Sequence, residues 1–135
     1  MRSTFLRLLT TVSAFLTVLT TGVRAATITW TNNNSGSWHV AGNWSPNQVP
    51  AAADVAVFNR NVTLTVAEDV SVSELQLTGS GTLNVATGVL TAATLTWSGG
   101  WLRGVVQCGG GNIGVGTTKY LVGGVLNNEI GRAHV

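Results

Sequence analysis

The sequence predicts an all-β chain, wound as a right-handed parallel β-solenoid (β-helix) behind a tryptophan-rich N-terminal cap, with an antiparallel β-sandwich as the alternative. Three observations predict it. Short runs such as "VTLTV" and "ATLTW" alternate apolar and polar residues and are rich in β-branched side chains, and period two is the strand signature. Glycine-rich breaks ("TGSG", "ATG", "SGG", "CGGGN") punctuate the runs, recurring roughly every ten residues as a solenoid, sandwich or barrel requires. No Asn-Gly or Asp-Gly occurs in the chain; that dipeptide is the strongest short-range hairpin signal, so its absence favours stacked turns over hairpins.

In chain order, the first segment carries Arg2 and Arg7, an apolar stretch from Leu8 to Leu19, and "VRA" before Ala26. This is the layout of a secretory signal peptide over 1–25, cleaved after Ala25. The stretch is short and broken by threonine, which argues against an uncleaved membrane anchor. The product is expected to be secreted or held at the cell surface, with no stable membrane span after cleavage. Residues 26–60 read as the cap region, where Trp30, Trp38 and Trp44 sit among asparagines and both prolines. The first turn of a solenoid needs covering, and large aromatics in irregular loops would seal it. The competing reading is a glycan-binding platform, with exposed Trp38 and Trp44 stacking on the apolar face of a sugar.

Residues 61–128 read as the solenoid turns. Val62, Leu64 and Val66 are expected on one face with Thr63 and Thr65 on the other; Ala93, Leu95 and Trp97 are likewise expected together. Outward positions carry threonine and serine in place of charge, which suits strands stacked on further strands. The last segment, 129–135 ("EIGRAHV"), has no alternation. Read back through the genetic code it resembles a sequencing adapter, so it is expected to be an assembly artefact. The last genuine turn would then be bare, and self-association through it is expected.

Charge and chemistry narrow the function. Three of the seven basic residues lie in the leader, leaving four against five acidic residues, a net charge of −1. No basic surface remains to neutralise phosphates, so no nucleic-acid partner is expected. Cys108 is the only cysteine, which excludes an intramolecular disulfide, and no Cys/His cluster has metal-ligand spacing. No metal or cofactor is therefore expected. Glu68 and Asp69 are adjacent, so on a strand they would face apart; between two strand runs they read as a solvated turn. The remaining charges are spread thinly, no catalytic residue is assigned, and the chain reads as leaning away from an enzyme. His39 and Cys108 could formally pair, but nothing activates the thiol. Gly109, Gly111 and Gly114 match a dinucleotide fingerprint, yet the residues after Gly114 are strand-like where a helix is needed. Asn33, Asn43 and Asn61 each open an Asn-x-Ser/Thr triplet, a glycan acceptor only in a eukaryotic secretory pathway.

The pattern Trp38, Ala41, Asn43-Trp44-Ser45, Val49-Pro50, Asp54 and Val57-Phe58 resembles the N-terminal unit of large secreted bacterial β-helix proteins, autotransporter-type passengers among them. The later "LTWSGGWLRG" and "GTTKYLVGGVLNN" resemble their repeat. Two departures stand out: Ala51 replaces the usual glycine after Val-Pro, and "VVQCGGGNIGVG" is richer in glycine than the repeat. The resemblance implies a truncated, non-enzymatic, adhesive or structural surface segment whose partners are extracellular glycans or other surface components. The alternatives it leaves are the first part of a carbohydrate-active β-helix enzyme, with its catalytic turns further on, or a small glycan-binding module.

Overall fold

A computed structural model describes residues 24–114 and 118–128. Of the expected leader only Arg24 and Ala25 fall within it, and the tail at 129–135 lies outside. The described chain is all-β: β1 (Thr27–Trp30), β2 (Gly36–Ser37), β3 (Trp44–Ser45), β4 (Val55–Phe58), β5 (Thr63–Val66), β6 (Val70–Leu77), β7 (Thr82–Trp97), β8 (Gly100–Cys108), β9 (Gly111–Asn112) and β10 (Lys119–Asn128). The only helical piece among these residues is a 3-10 turn at Ala41–Asn43. The strands wind about four turns of a β-solenoid. Every strand pairing is parallel except β1 with β3, which is antiparallel. The sandwich alternative is thereby excluded, since its strands would pair antiparallel.

Three parallel ladders run along the solenoid. The first stacks Thr27, Val55, Glu74 and Thr94 in register, with Ile28, Ala56, Leu75 and Leu95 beside them. The second stacks Thr63, Thr82, Trp101 and Tyr120, with Leu64, Leu83, Leu102 and Leu121 beside them. The third stacks Val70, Leu90, Val106 and Leu126. Along each strand alternate side chains take opposite faces, so the apolar member of every pair points into the coil. Leu64, Leu83, Leu90, Leu95 and Leu102 are buried there. Each such leucine contributes about 1.5–3 kcal/mol by leaving water, which is how a chain without disulfides holds a narrow coil together.

Alternation holds only within a ladder. Leu64 and Val66 are buried and Val62 packs against the core, as the pattern of "VTLTV" predicts. In "ATLTW" it fails at one end: Leu95 and Trp97 are buried, but Ala92 is the inward residue and Ala93 is exposed. The reason is that β7 changes ladder between Ala92 and Thr94, from the third to the first, and a corner resets the alternation.

The corners differ in length. Thr82 and Trp101 pair at a spacing of 19 positions, whereas Val89 and Val105 pair at 16, the shift falling between Asn84 and Val89. Where the earlier turn uses Val85–Ala86–Thr87–Gly88, the later one uses Gly104 alone. That residue has φ +87°, and a Cβ there would run into the carbonyl oxygen of Val85. Only glycine fits so tight a crossing.

Candidate functional site

The two ends of the solenoid are built from different side chains. At the N-terminal end the tryptophans interlock: Trp30 meets Trp44 edge-on with ring centroids 5.1 Å apart, Trp38 meets Trp44 at 4.8 Å, and Trp30 meets Phe58 at 6.1 Å. Edge-to-face pairs of this kind contribute beyond their buried area. Trp44 Nε1 donates to the Trp38 carbonyl at 2.8 Å and Trp30 Nε1 to the Asn32 carbonyl at 2.8 Å. Trp38 Nε1 has no acceptor among the described residues.

Asn43 organises the loops around this cluster. Its Nδ2 donates to the Ser37 carbonyl at 2.9 Å, its Oδ1 accepts from Asn32 Nδ2 at 2.8 Å, and its carbonyl accepts from Thr31 N at 2.9 Å. One residue thus ties the loop after β1 (Thr31 and Asn32) to the end of β2 (Ser37), satisfying polar groups that no ladder reaches. The same engagement occupies the nitrogen of the Asn43 triplet, whereas Asn33 and Asn61 are exposed.

The competing reading, a sugar platform on Trp38 and Trp44, finds no exposed ring here. Trp38 is 0 % and Trp44 2 % exposed. Each ring is sealed by the other and by the core, so neither offers a face on which a pyranose could stack. The cluster closes the first turn.

At the other end β10 pairs, among the described residues, only with β8, and no described strand lies along its far edge. Of the six exposed large apolar residues described, four lie in β10: Tyr120, Leu121, Val122 and Val125. Leu121 shows why. It continues the column of Leu64, Leu83 and Leu102, all fully buried, yet it is 46 % exposed because no described residue covers it. Leu126 continues the third column and is partly buried against the core. On the outside of the second ladder Trp101 and Tyr120 stack face to face, centroids 3.9 Å apart and 16° from parallel. Sequence reading missed this pair. The signal was a spacing of 19 between Thr82, Trp101 and Tyr120, visible only once the register is known.

The remaining candidates are dispersed. Glu68 and Asp69 lie in an exposed corner, as expected of a solvated turn, where Asp69 Oδ1 accepts from Val89 N at 2.8 Å. Glu74 accepts from Gln76 Nε2 at 2.9 Å and Thr96 Oγ1 at 3.3 Å, a polar ladder on the outer face. His39 Nε2 accepts from Ala67 N at 3.4 Å in the first layer, while Cys108 lies buried at the end of β8. Burial pushes the Cys108 thiol up, partly offset by a hydrogen bond to the backbone of Gly110. Gly111-Asn112 forms a short strand on Leu95-Thr96, not the start of a phosphate-binding helix. Among the described residues no group of three or more His, Cys, Asp or Glu could hold a metal, no helix is long and apolar enough to cross a membrane, and no pocket is formed. No protein family, curated protein or solved structure matches the chain.

Proposed function

We infer that the chain is the leader, cap and first turns of an exported β-helix protein of the autotransporter-passenger type, and that it serves as a structural or adhesive segment at the cell surface. One observation carries the reading: the first turn is sealed by interlocked tryptophans, while the last exposes a core leucine, Leu121, in a column buried everywhere else. An extensible coil needs this polarity, with one end finished and the other ready to receive another turn. The occupant of that end is a further turn of the same architecture or, in isolation, a second copy pairing edge to edge. Extracellular glycans and other surface components are the partners such a segment would meet.

Expression of the tagged full chain in an exporting bacterial host tests the reading. The product is expected outside the cytoplasm without its leader, and light scattering should find it associated in a concentration-dependent way. Val125→Lys, which puts a charge on the open edge, should shift it toward monomer. Retention in the cytoplasm with the leader intact would sink the export reading, and a monodisperse monomer at all concentrations would sink the open-edge reading.

A further inference from the structure

The carboxylate of Asp54 is the one buried charged side chain of the described residues, 3 % exposed. Its Oδ1 accepts from Ala26 N at 3.0 Å and its Oδ2 from Ala51 N at 2.9 Å. Its carbonyl accepts from Ser73 N at 2.9 Å and Ser73 Oγ at 2.8 Å. Asp54 therefore ties the start of β1, the loop before β4 and the next turn together. Each hydrogen bond to the carboxylate comes from a backbone N–H, so the burial of a negative charge is only partly compensated. Ala26 is the first residue anchored on both sides, its carbonyl accepting from Val55 N at 2.8 Å, and it packs against the core. Arg24 and Ala25 are exposed and irregular, which leaves the bond before Ala26 open to a protease.

We propose that the Ala25–Ala26 bond is a processing site whose cleavage creates an ion pair: the new α-ammonium of Ala26 closes on the buried Asp54 carboxylate and locks the first turn. A leader peptidase adds water across the peptide bond. The C–N bond breaks, Ala25 leaves with the carboxylate, and the nitrogen of Ala26 takes up protons to become –NH₃⁺. That nitrogen already lies 3.0 Å from Asp54 Oδ1, so no rearrangement is needed; the bond to the carboxylate is already charge-assisted, and cleavage adds a full positive charge beside a buried negative one that only backbone N–H groups compensate. Maturation thus completes the fold at its capped end. Other charges near the pair are Glu74, whose backbone N approaches the Asp54 carbonyl at 3.4 Å and whose carboxylate is engaged by Gln76 and Thr96, and Arg24, which departs with the leader. The strands β3 and β4 that flank β1 carry no titratable side chain.

The inference rests on the export reading, and the test separates the two. Terminal sequencing of the exported product should give Ala26 as its first residue. Two chains released from a traceless fusion, one starting at Ala26 and one at Ala25, are then melted at pH 7 and pH 10. At pH 7 the Ala26 chain should melt about 5 °C higher, the shift expected of a partly solvated charged hydrogen bond in a domain of this size. An ammonium paired in the folded state has its pKa raised above the usual value of about 7.7–8.0. Its contribution is therefore whole below that range and fades as pH rises through the folded value, so the difference should vanish by pH 10. Asp54→Asn should erase the difference at pH 7; if that variant does not fold, the two parent chains at two pH values still decide. Equal midpoints at pH 7 with Ala26 as the exported terminus would overturn the ion pair and leave export standing. A different terminus on the exported product would overturn the processing site and leave export standing, whereas an uncleaved leader would overturn the leader reading as well.

Discussion

The capped and open ends of this solenoid solve the same problem with opposite outcomes. Both must end a stack of ladders whose backbone donors and acceptors and inward side chains ask for a neighbour. At the first turn, irregular loops supply that neighbour: three tryptophans fill the bore, and Asn43 satisfies the loop backbone. At the last described turn, β10 repeats the ladder residues without any such cover among the described residues, and a leucine in the core column meets water. The difference lies in composition. Asn, Pro and Trp fill the capped region, whereas Gly, Val and Leu make up most of β10, so the loops of one end cover its core column while the described residues of the other leave theirs in contact with water.

Substitutions in the shared leucine column test the contrast most directly. Leu83→Ala, in mid-column, should cost about 2–5 kcal/mol through lost transfer energy and the cavity left behind, while Leu121→Ala should cost less than about 0.5 kcal/mol as an exposed change. Urea melts of the two would settle it; equal costs would mean that the last turn is covered in solution. At the capped end, Asn43→Ala leaves the Ser37 carbonyl and Asn32 amide without their partner and should cost about 1–3 kcal/mol, accompanied by a red shift of tryptophan emission as the loops loosen. An unchanged emission spectrum would place the strength of the cap in the rings alone.

A finer comparison lies within the cap. Trp44→Phe removes a hydrogen bond that Trp38→Phe does not, because only Trp44 Nε1 has an acceptor. Both lose ring area, so Trp44→Phe should be the more destabilising by about 1 kcal/mol in paired thermal melts. The smallest effect concerns Cys108. Its thiol is held above the ordinary value, chiefly by burial, so the folded state keeps that proton longer than the unfolded chain. Stability should therefore decline slightly as pH rises past the usual thiol range. Alkylation followed by mass spectrometry should be slow at pH 8; labelling as fast as a free thiol would show that the third ladder opens.

The architecture was largely legible in the sequence because strands and breaks are local signals. Alternation in "VTLTV" placed Leu64 and Val66 in the bore, and the missing hairpin dipeptides favoured parallel stacking. Corners inside continuous strands were not legible: Ala93 and Ala92 are chemically identical, and only the change of ladder decides which one is buried. Pairs set by register were equally hidden. Trp101 and Tyr120 meet through a spacing of 19 that the other ladders do not keep, so it cannot be picked out before the register is known, and Asp54 looks in the text like any surface carboxylate until Ala26 and Ala51 are brought to it.

The single-glycine corner at Gly104 has a consequence for how such a chain can change over generations. It removes three positions from a turn, relative to the corner at Val85–Gly88, yet the buried residues on either side, Leu102 and Val106, stay in the columns of Leu83 and Leu90. Corners are therefore the joints at which insertions and deletions are silent to the interior, while the sides tolerate none. Grafted peptides, tags or new recognition loops belong at positions such as 86–88, and lineages descended from one ancestral coil would drift apart in text and in period while keeping a superimposable bore.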